Sequence, residues 1–239
     1  MSQSFDMRRF GKLVWHDVRR LSPRNSAMGS MLLSMLAFVP LMTLFQGMTG
    51  TDTYGAGYRL TLMVLMSAIE ASMVPMQLYA YVGRKQKRGD IYFAMLPASK
   101  LEKYLSIATL SLVLVPLALA VGNVLVDTLL TTVHMPFYHN YLWQTNYASI
   151  ISLPALCCCA LAFIGTTLGF IYANVVRNKV LRAALCFVLW IWLTGGFILP
   201  ILIGGADINL NLWLIAGIQV PFVALMAVLG WNKMNKIGY

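Results

Sequence analysis

The sequence predicts an all-α, polytopic membrane protein: six transmembrane helices preceded by an N-terminal amphipathic interfacial helix. Three observations lead there. The 239 residues are 59% hydrophobic and only 11% charged, whereas a soluble domain carries roughly 25% charged residues. Six windows reach the length of about 20 apolar residues needed to cross the hydrocarbon core: 27–48, 60–82, 105–130, 148–173, 183–203 and 212–230. The charges gather between those windows, which hold just two formal charges, Glu70 and Asp127. Runs such as LSLVLVPLALAVGNVLV do not alternate, which excludes the alternating strands of a membrane β-barrel.

Three parts follow: an amphipathic elbow over 1–26, a six-helix domain over 27–230 with a cytoplasmic insert at 83–104, and a tail over 231–239. In the elbow, residues 5–21 read FDMRRFGKLVWHDVRRL. Met7, Phe10, Val14, Val18 and Leu21 recur at helical spacing, with Arg8, Arg9, Lys12, His16, Arg19 and Arg20 opposite and Trp15 at the boundary. Such a helix is too polar to span and suits the headgroup layer. It is read as an anchor or coupling element rather than a cleaved leader. Pro23 ends it.

Orientation comes from Lys and Arg. Seventeen of the eighteen fall in 1–26, 83–104, 174–182 and the tail, all on one side of a six-span topology; Arg59 stands alone on the other. The positive-inside rule places that side, with both termini, in the cytoplasm. The net charge of +10 is therefore a juxtamembrane bias and not a nucleic-acid surface. The outer loops are 49–59, 131–147 and 204–211. The middle one, TTVHMPFYHNYLWQTNY, is aromatic as interfacial loops are; His134 and His139 lie in it and have no acidic neighbour.

Within the spans, Glu70 sits near the middle of the second, where a charge costs roughly 2.5–3.5 kcal/mol and must face the bundle or a wet cavity. It is the candidate pathway residue, with helix fastening as the structural alternative. Asp127, near the outer end of the third, reads as interfacial. Gly165 and Gly169 in GTTLG are four apart, a spacing that allows close helix packing. Pro75, Pro116 and Pro154 are expected to kink their spans. Cys157, Cys158, Cys159 and Cys186 lie in apolar runs without metal or CxxC spacing and read as packing residues.

Residues 83–105, GRKQKRGDIYFAMLPASKLEKYL, form the most charged stretch, yet IYFAML at its centre is apolar. After the break at Pro97, Ser99 is placed to cap a helix and Glu102 to reach back to it as the reciprocal cap. The third span thus begins about two turns inside the cytoplasm, near Ser99. IYFAML is left below the membrane as an apolar patch rimmed by polar groups, a candidate protein interface.

An amphipathic basic helix, six spans and the insert "MLPASKLEKYLS" together resemble the membrane subunits of bacterial ATP-binding-cassette exporters, the ABC-2 permease family. The residues that carry the likeness are Leu96, Pro97, Ala98, Ser99, Glu102 and Lys103. The resemblance implies that 83–104 is a coupling segment seated in a separate cytoplasmic ATPase. Arg88, Asp90, Tyr92, Phe93 and Leu96 would face that ATPase, and Arg177 in VVRNKVLR would make a second contact. It also implies a second permease subunit, identical or different, and a place in the bacterial inner membrane. Many relatives carry an outer re-entrant element between spans five and six; here GGADINLN is short, so any such piece must come from LTGGFILPILIGG.

The chain has no GxxxxGK[ST], HExxH or GxSxG, the signatures of phosphate binding and of hydrolytic sites. No catalytic residue, metal or cofactor is assigned to it; ATP and Mg would be held by the partner subunit. The competing class is a membrane scaffold or sensor that docks a soluble cytoplasmic partner through the same patch.

Overall fold

The computed structural model describes residues 5–21, 27–48, 56–84, 98–135, 138, 140–144, 152–176, 178–203 and 209–235. All regular structure among them is helical. In chain order the helices are α1 (Met7–Leu21), α2 (Ala27–Met48), α3 (Ala56–Arg84), α4 (Lys100–Thr132), α5 (Leu153–Val175), α6 (Lys179–Ile203) and α7 (Asn209–Asn235), with a short 3-10 turn at Leu142–Gln144. Among the described residues, four helical stretches are long and apolar enough to cross a membrane: Lys100–Thr132, Leu153–Asn174, Lys179–Gly196 and Leu212–Lys233. α2 and α3 occupy the first two predicted windows, and Leu36–Phe45 of α2 is a shorter apolar helix.

Local chemistry sets the helix ends. Asp6 starts α1, its carboxylate accepting the Arg8 amide at 2.8 Å. Ser99 and Glu102 form the reciprocal cap of α4: the Ser99 hydroxyl accepts the Glu102 amide at 3.2 Å, and the Glu102 carboxylate accepts the Ser99 amide at 2.8 Å. Asn178 starts α6 by accepting the Val180 amide at 3.0 Å. α4 stops through His134, which holds a positive φ of 53°. The amide of Met135 donates to the carbonyl of Leu130 and that of His134 to Thr131, the paired bonds that close a helix through a left-handed residue.

The expected kinks need correction at one proline. Pro154 lies in the first turn of α5, where its missing N–H leaves no helical bond broken, so it begins the span instead of interrupting it. Pro75 lies inside α3, and Pro40 and Pro221 lie inside α2 and α7. Pro116 follows a π-helical turn at Leu110–Leu114, in which the Val115 amide reaches back five residues to the Leu110 carbonyl. Proline cannot donate to the carbonyl four residues earlier, and a widened turn accommodates that loss.

α5 is the central helix, packed against α7, α6 and α3. Its segment from Gly165 to Ile171 is buried throughout. Thr166 and Thr167 are fully buried there without a distant partner, because each hydroxyl donates to the carbonyl four residues back at 2.7 and 2.8 Å. At one end of the bundle, Tyr104, Ile107 and Ala108 of α4 pack with Leu168 and Ile171 of α5 and Met226 of α7. Nearby, Leu21 of α1 joins Ala71 and Val74 of α3 and Leu110, Val115 and Leu119 of α4. At the other end Val39, Met63 and Leu142 form a separate cluster.

α6 runs without a break through LTGGFILPILI to Ile203, so the stretch considered for an outer re-entrant element is helix up to that point. The apolar stripe expected on α1 is rotated. Leu13, Asp17 and Leu21 are its buried row, whereas Met7 is 73% exposed. The protein-facing row contains a carboxylate and shares only Leu21 with the expected stripe, so the apolar moment of the sequence lies part-way round the helix from it.

Candidate functional site at the base of α4

Glu102 is the most constrained acidic group among the described residues. It lies on the first turn of α4 and is 0% exposed. Besides closing the cap on Ser99, its carboxylate accepts the Asp6 amide at 2.8 Å and the Arg9 guanidinium at 3.1 Å. One side chain therefore holds the start of α4 and the start of α1 together. One turn along α4, the Ser106 hydroxyl donates to the buried Asp17 carboxylate at 2.7 Å. α1 is pinned to α4 at both ends by polar contacts, with Leu13 buried between them.

The 33 residues of α4 measure about 50 Å at 1.5 Å per residue, well over the ~30 Å of the hydrocarbon core. α4 is therefore longer than the core is thick, and its charged first turn lies ahead of the 105–130 window that the sequence marks as the span. Burial alone would raise the Glu102 carboxyl; the amides of Asp6 and Ser99 and the charge of Arg9 outweigh it and hold the group below the usual carboxylate range. Burial pushes the adjacent Lys103 ammonium below the usual lysine range. Tyr104, next in sequence, meets Trp231 of α7 edge-on at 5.9 Å between centroids. The motif residues around Glu102 accordingly join α1, α4 and α7.

The remaining sequence candidates are placed as follows. Arg88, Asp90, Tyr92, Phe93, Leu96, Pro97 and Arg177 lie outside the described residues. Ser99 and Glu102 form the cap described above. Glu70 is buried in α3 at 6% exposure, and its Oε2 has no hydrogen-bond partner. The other four described acidic side chains are each engaged: Asp6 by the Arg8 amide, Asp17 by Ser106, Glu102 by its three donors and Asp127 by Arg59. Beside α3, α4 and α5 lies an apolar groove of about 310 Å³, lined by residues that include Met63, Pro116, Asn123 and Phe163; Glu70 is not among them.

Gly165 lies under Phe222 and Val223 of α7, and Gly169 under Leu189 of α6, so both glycines admit helices of this same chain. Gly196 is tighter than either. A Cβ there would stand 2.2 Å from that of Ala162. Cys158 and Cys159 donate to the carbonyls of Leu212 and Gly196 at 3.2 and 3.7 Å, which ties α5 to α7 and α6. Among the described residues, no three His, Cys, Asp or Glu side chains gather as a metal site.

Asp127 departs from its interfacial reading. It is 1% exposed and paired with Arg59, also 1% exposed, at 2.8 Å. Arg59 also donates to the Asn140 carbonyl at 2.5 Å and lies 4.7 Å from the centroid of the Tyr138 ring. Tyr138 and Leu142 are buried, so this part of the loop roofs the pair and shuts out the water that the sequence position implied. The signal was present in the sequence: the one basic residue on the side predicted to be outer lies near the start of α3, and the one acid of the predicted third span lies near the end of α4. Comparison with protein-family models, with curated proteins and with solved structures finds no match for this chain.

Proposed function

We propose that this chain is the permease subunit of an ATP-binding-cassette exporter, with six spans, both termini in the cytoplasm and ATP hydrolysed by a separate subunit. The observation that carries the reading is the Glu102 junction. A coupling segment must push on something that does not yield. Glu102 binds the end of the 83–104 segment to α4 and α1 through a buried carboxylate that accepts three hydrogen bonds, and Tyr104 and Trp231 extend the junction to α7.

In this reading, closure of the ATPase subunits displaces the segment through Arg88, Asp90, Tyr92, Phe93 and Leu96. α3 and α4, attached to its two ends, carry the displacement into the membrane. A second permease copy or a related subunit completes the path, and Glu70 is the candidate polar contact along it. The groove beside α3, α4 and α5 is nearly all apolar, which favours a lipid-soluble or amphiphilic substrate.

The test is co-purification from native membranes with identification of the accompanying proteins. An ATPase with a phosphate-binding loop is expected. The variant Asp90→Lys with Phe93→Ala should lose that partner or its stimulated ATP hydrolysis while keeping the thermal stability of the permease. Unchanged association and unchanged stimulated hydrolysis in this variant would refute the exporter reading and favour a scaffold or sensor.

A further inference from the structure

α1 has two working faces, and among the described residues only one of them is packed against the other helices. Leu13, Asp17 and Leu21, spaced four apart, are buried, and Arg9 turns to Glu102. At 100° per residue, the next row round the helix is Met7, Gly11 and Trp15. Met7 is 73% and Trp15 59% exposed, and Phe5 just ahead of the helix is 42% exposed. Space is open beside Gly11, with no atom within 4 Å of where a Cβ would stand. Arg8, Lys12 and Arg19 adjoin this row and are exposed. The Arg19 guanidinium lies 5.2 Å from the centre of the Trp15 ring.

The acidic residues of the helix are placed elsewhere. Asp17 is buried against Ser106, and Asp6 is engaged at the helix start by the Arg8 amide. The outward arc is thus apolar along one edge and cationic along the other, with no carboxylate between. A surface of that kind complements one with acyl chains on one side and negative charge on the other.

We propose that the outward arc of α1, formed by Met7, Trp15, Arg8, Lys12 and Arg19, binds the anionic phospholipid surface of the membrane that holds the bundle. Trp15 and Met7 enter the acyl boundary, and the basic row contacts headgroup phosphates. The opposite row is pinned to α4 through Glu102 and Asp17, so lipid charge bears on the base of α4. The inference requires the membrane location and is independent of the exporter reading.

The test uses the full chain in nanodiscs of phosphatidylcholine containing a fixed fraction of phosphatidylglycerol. Bromine is carried on the acyl chains of one lipid or the other. The Trp15 contribution is isolated as the difference between wild type and Trp15→Phe. Brominated phosphatidylglycerol should quench it at least about twofold more than brominated phosphatidylcholine at equal mole fraction. That preference should shrink between low and high salt as charge is screened. It should disappear in Arg8→Glu with Lys12→Glu. Quenching of the other five tryptophans, unchanged in that variant, shows that the bundle is intact.

Equal quenching by the two lipids overturns the proposal, as does a preference that survives the double charge reversal. So does a Trp15 signal shielded from both bromolipids and aqueous iodide, since that arc would then be covered by protein.

Discussion

Arg59 and Asp127, 68 residues apart in sequence, meet at 2.8 Å with both side chains 1% exposed. The pair fastens the start of α3 to the end of α4, and the loop carrying Tyr138 and Asn140 closes over it. Its energetics are those of buried ions. Their mutual attraction is offset by the cost of dehydrating both, so the pair contributes little net stability, whereas one member left alone is costly.

Removing one partner should therefore do more damage than removing both. Asp127→Ala is expected to cost about 3–5 kcal/mol, and the double variant Arg59→Met with Asp127→Leu much less. Thermal unfolding in one detergent, run as a double-mutant cycle, checks this. Additive losses would show that the two ions are not coupled.

A second prediction concerns acid. The carboxyl of Glu102 is held below its usual value of 4.5, so the folded state binds its proton less readily than the unfolded state. The resulting stability is complete above about pH 4.5 and is lost as pH falls through the lower folded value. Acidification below pH 4.5 should loosen α1 from α4, which amide hydrogen exchange along α1, corrected for its intrinsic pH dependence, would report as lost protection. In Glu102→Gln the junction should already be loose at neutral pH and show little further change over that range. A wild type equally protected at pH 3 and pH 7 would contradict this role.

His134 tests the end of α4. Its φ of 53° is in the left-handed region, which costs an L-residue roughly 1–2 kcal/mol and glycine nothing. Its Nδ1 lies 3.0 Å from the Thr132 carbonyl, a local contact that compensates part of that cost. His134→Gly should be neutral or stabilising by up to about 1 kcal/mol, while the β-branched His134→Val should be destabilising. Thermal melts compare the three. If glycine is the worse substitution, the residue's role is not conformational.

How far the sequence reached depends on what each pattern records. Hydropathy located α4 to α7 within a few residues, because a lipid-soluble helix must be apolar along its whole length. The cap at Ser99 and Glu102 was legible because its chemistry is local. The same Glu102 also binds Asp6 and Arg9, and no periodicity encodes a contact across more than 90 residues. The inward row of α1 was hidden for a related reason: it contains Asp17, and a carboxylate is not recognisable as a buried position until its partner Ser106 is known. Asp127 looked interfacial and Arg59 stood only as the lone basic residue on its side, since burial at the end of a span depends on whether a loop folds over it. GTTLG was read from its glycine spacing, but Gly196 has no glycine four residues away and its tight contact is visible only in three dimensions.

That contact gives a prediction which separates packing from composition. Gly195 and Gly196 are neighbours on α6, so both carry the same intrinsic helix penalty and both should gain helix propensity as alanine. Their surroundings differ. A Cβ on Gly195 meets nothing within 4 Å, whereas one on Gly196 would stand 2.2 Å from the Ala162 Cβ and 3.7 Å from its Cα. The obstacle is a β-carbon fixed to the backbone of α5, so no rotamer change relieves it and the helices must part. Overpacking of this kind costs typically about 1–3 kcal/mol. Gly195→Ala should leave the melting temperature unchanged or raise it, and Gly196→Ala should lower it by several degrees. Ala162→Gly combined with Gly196→Ala exchanges the small residue across the interface and should recover most of the loss. Failure of that exchange to restore stability would mean that α5 and α6 do not meet at Ala162 and Gly196.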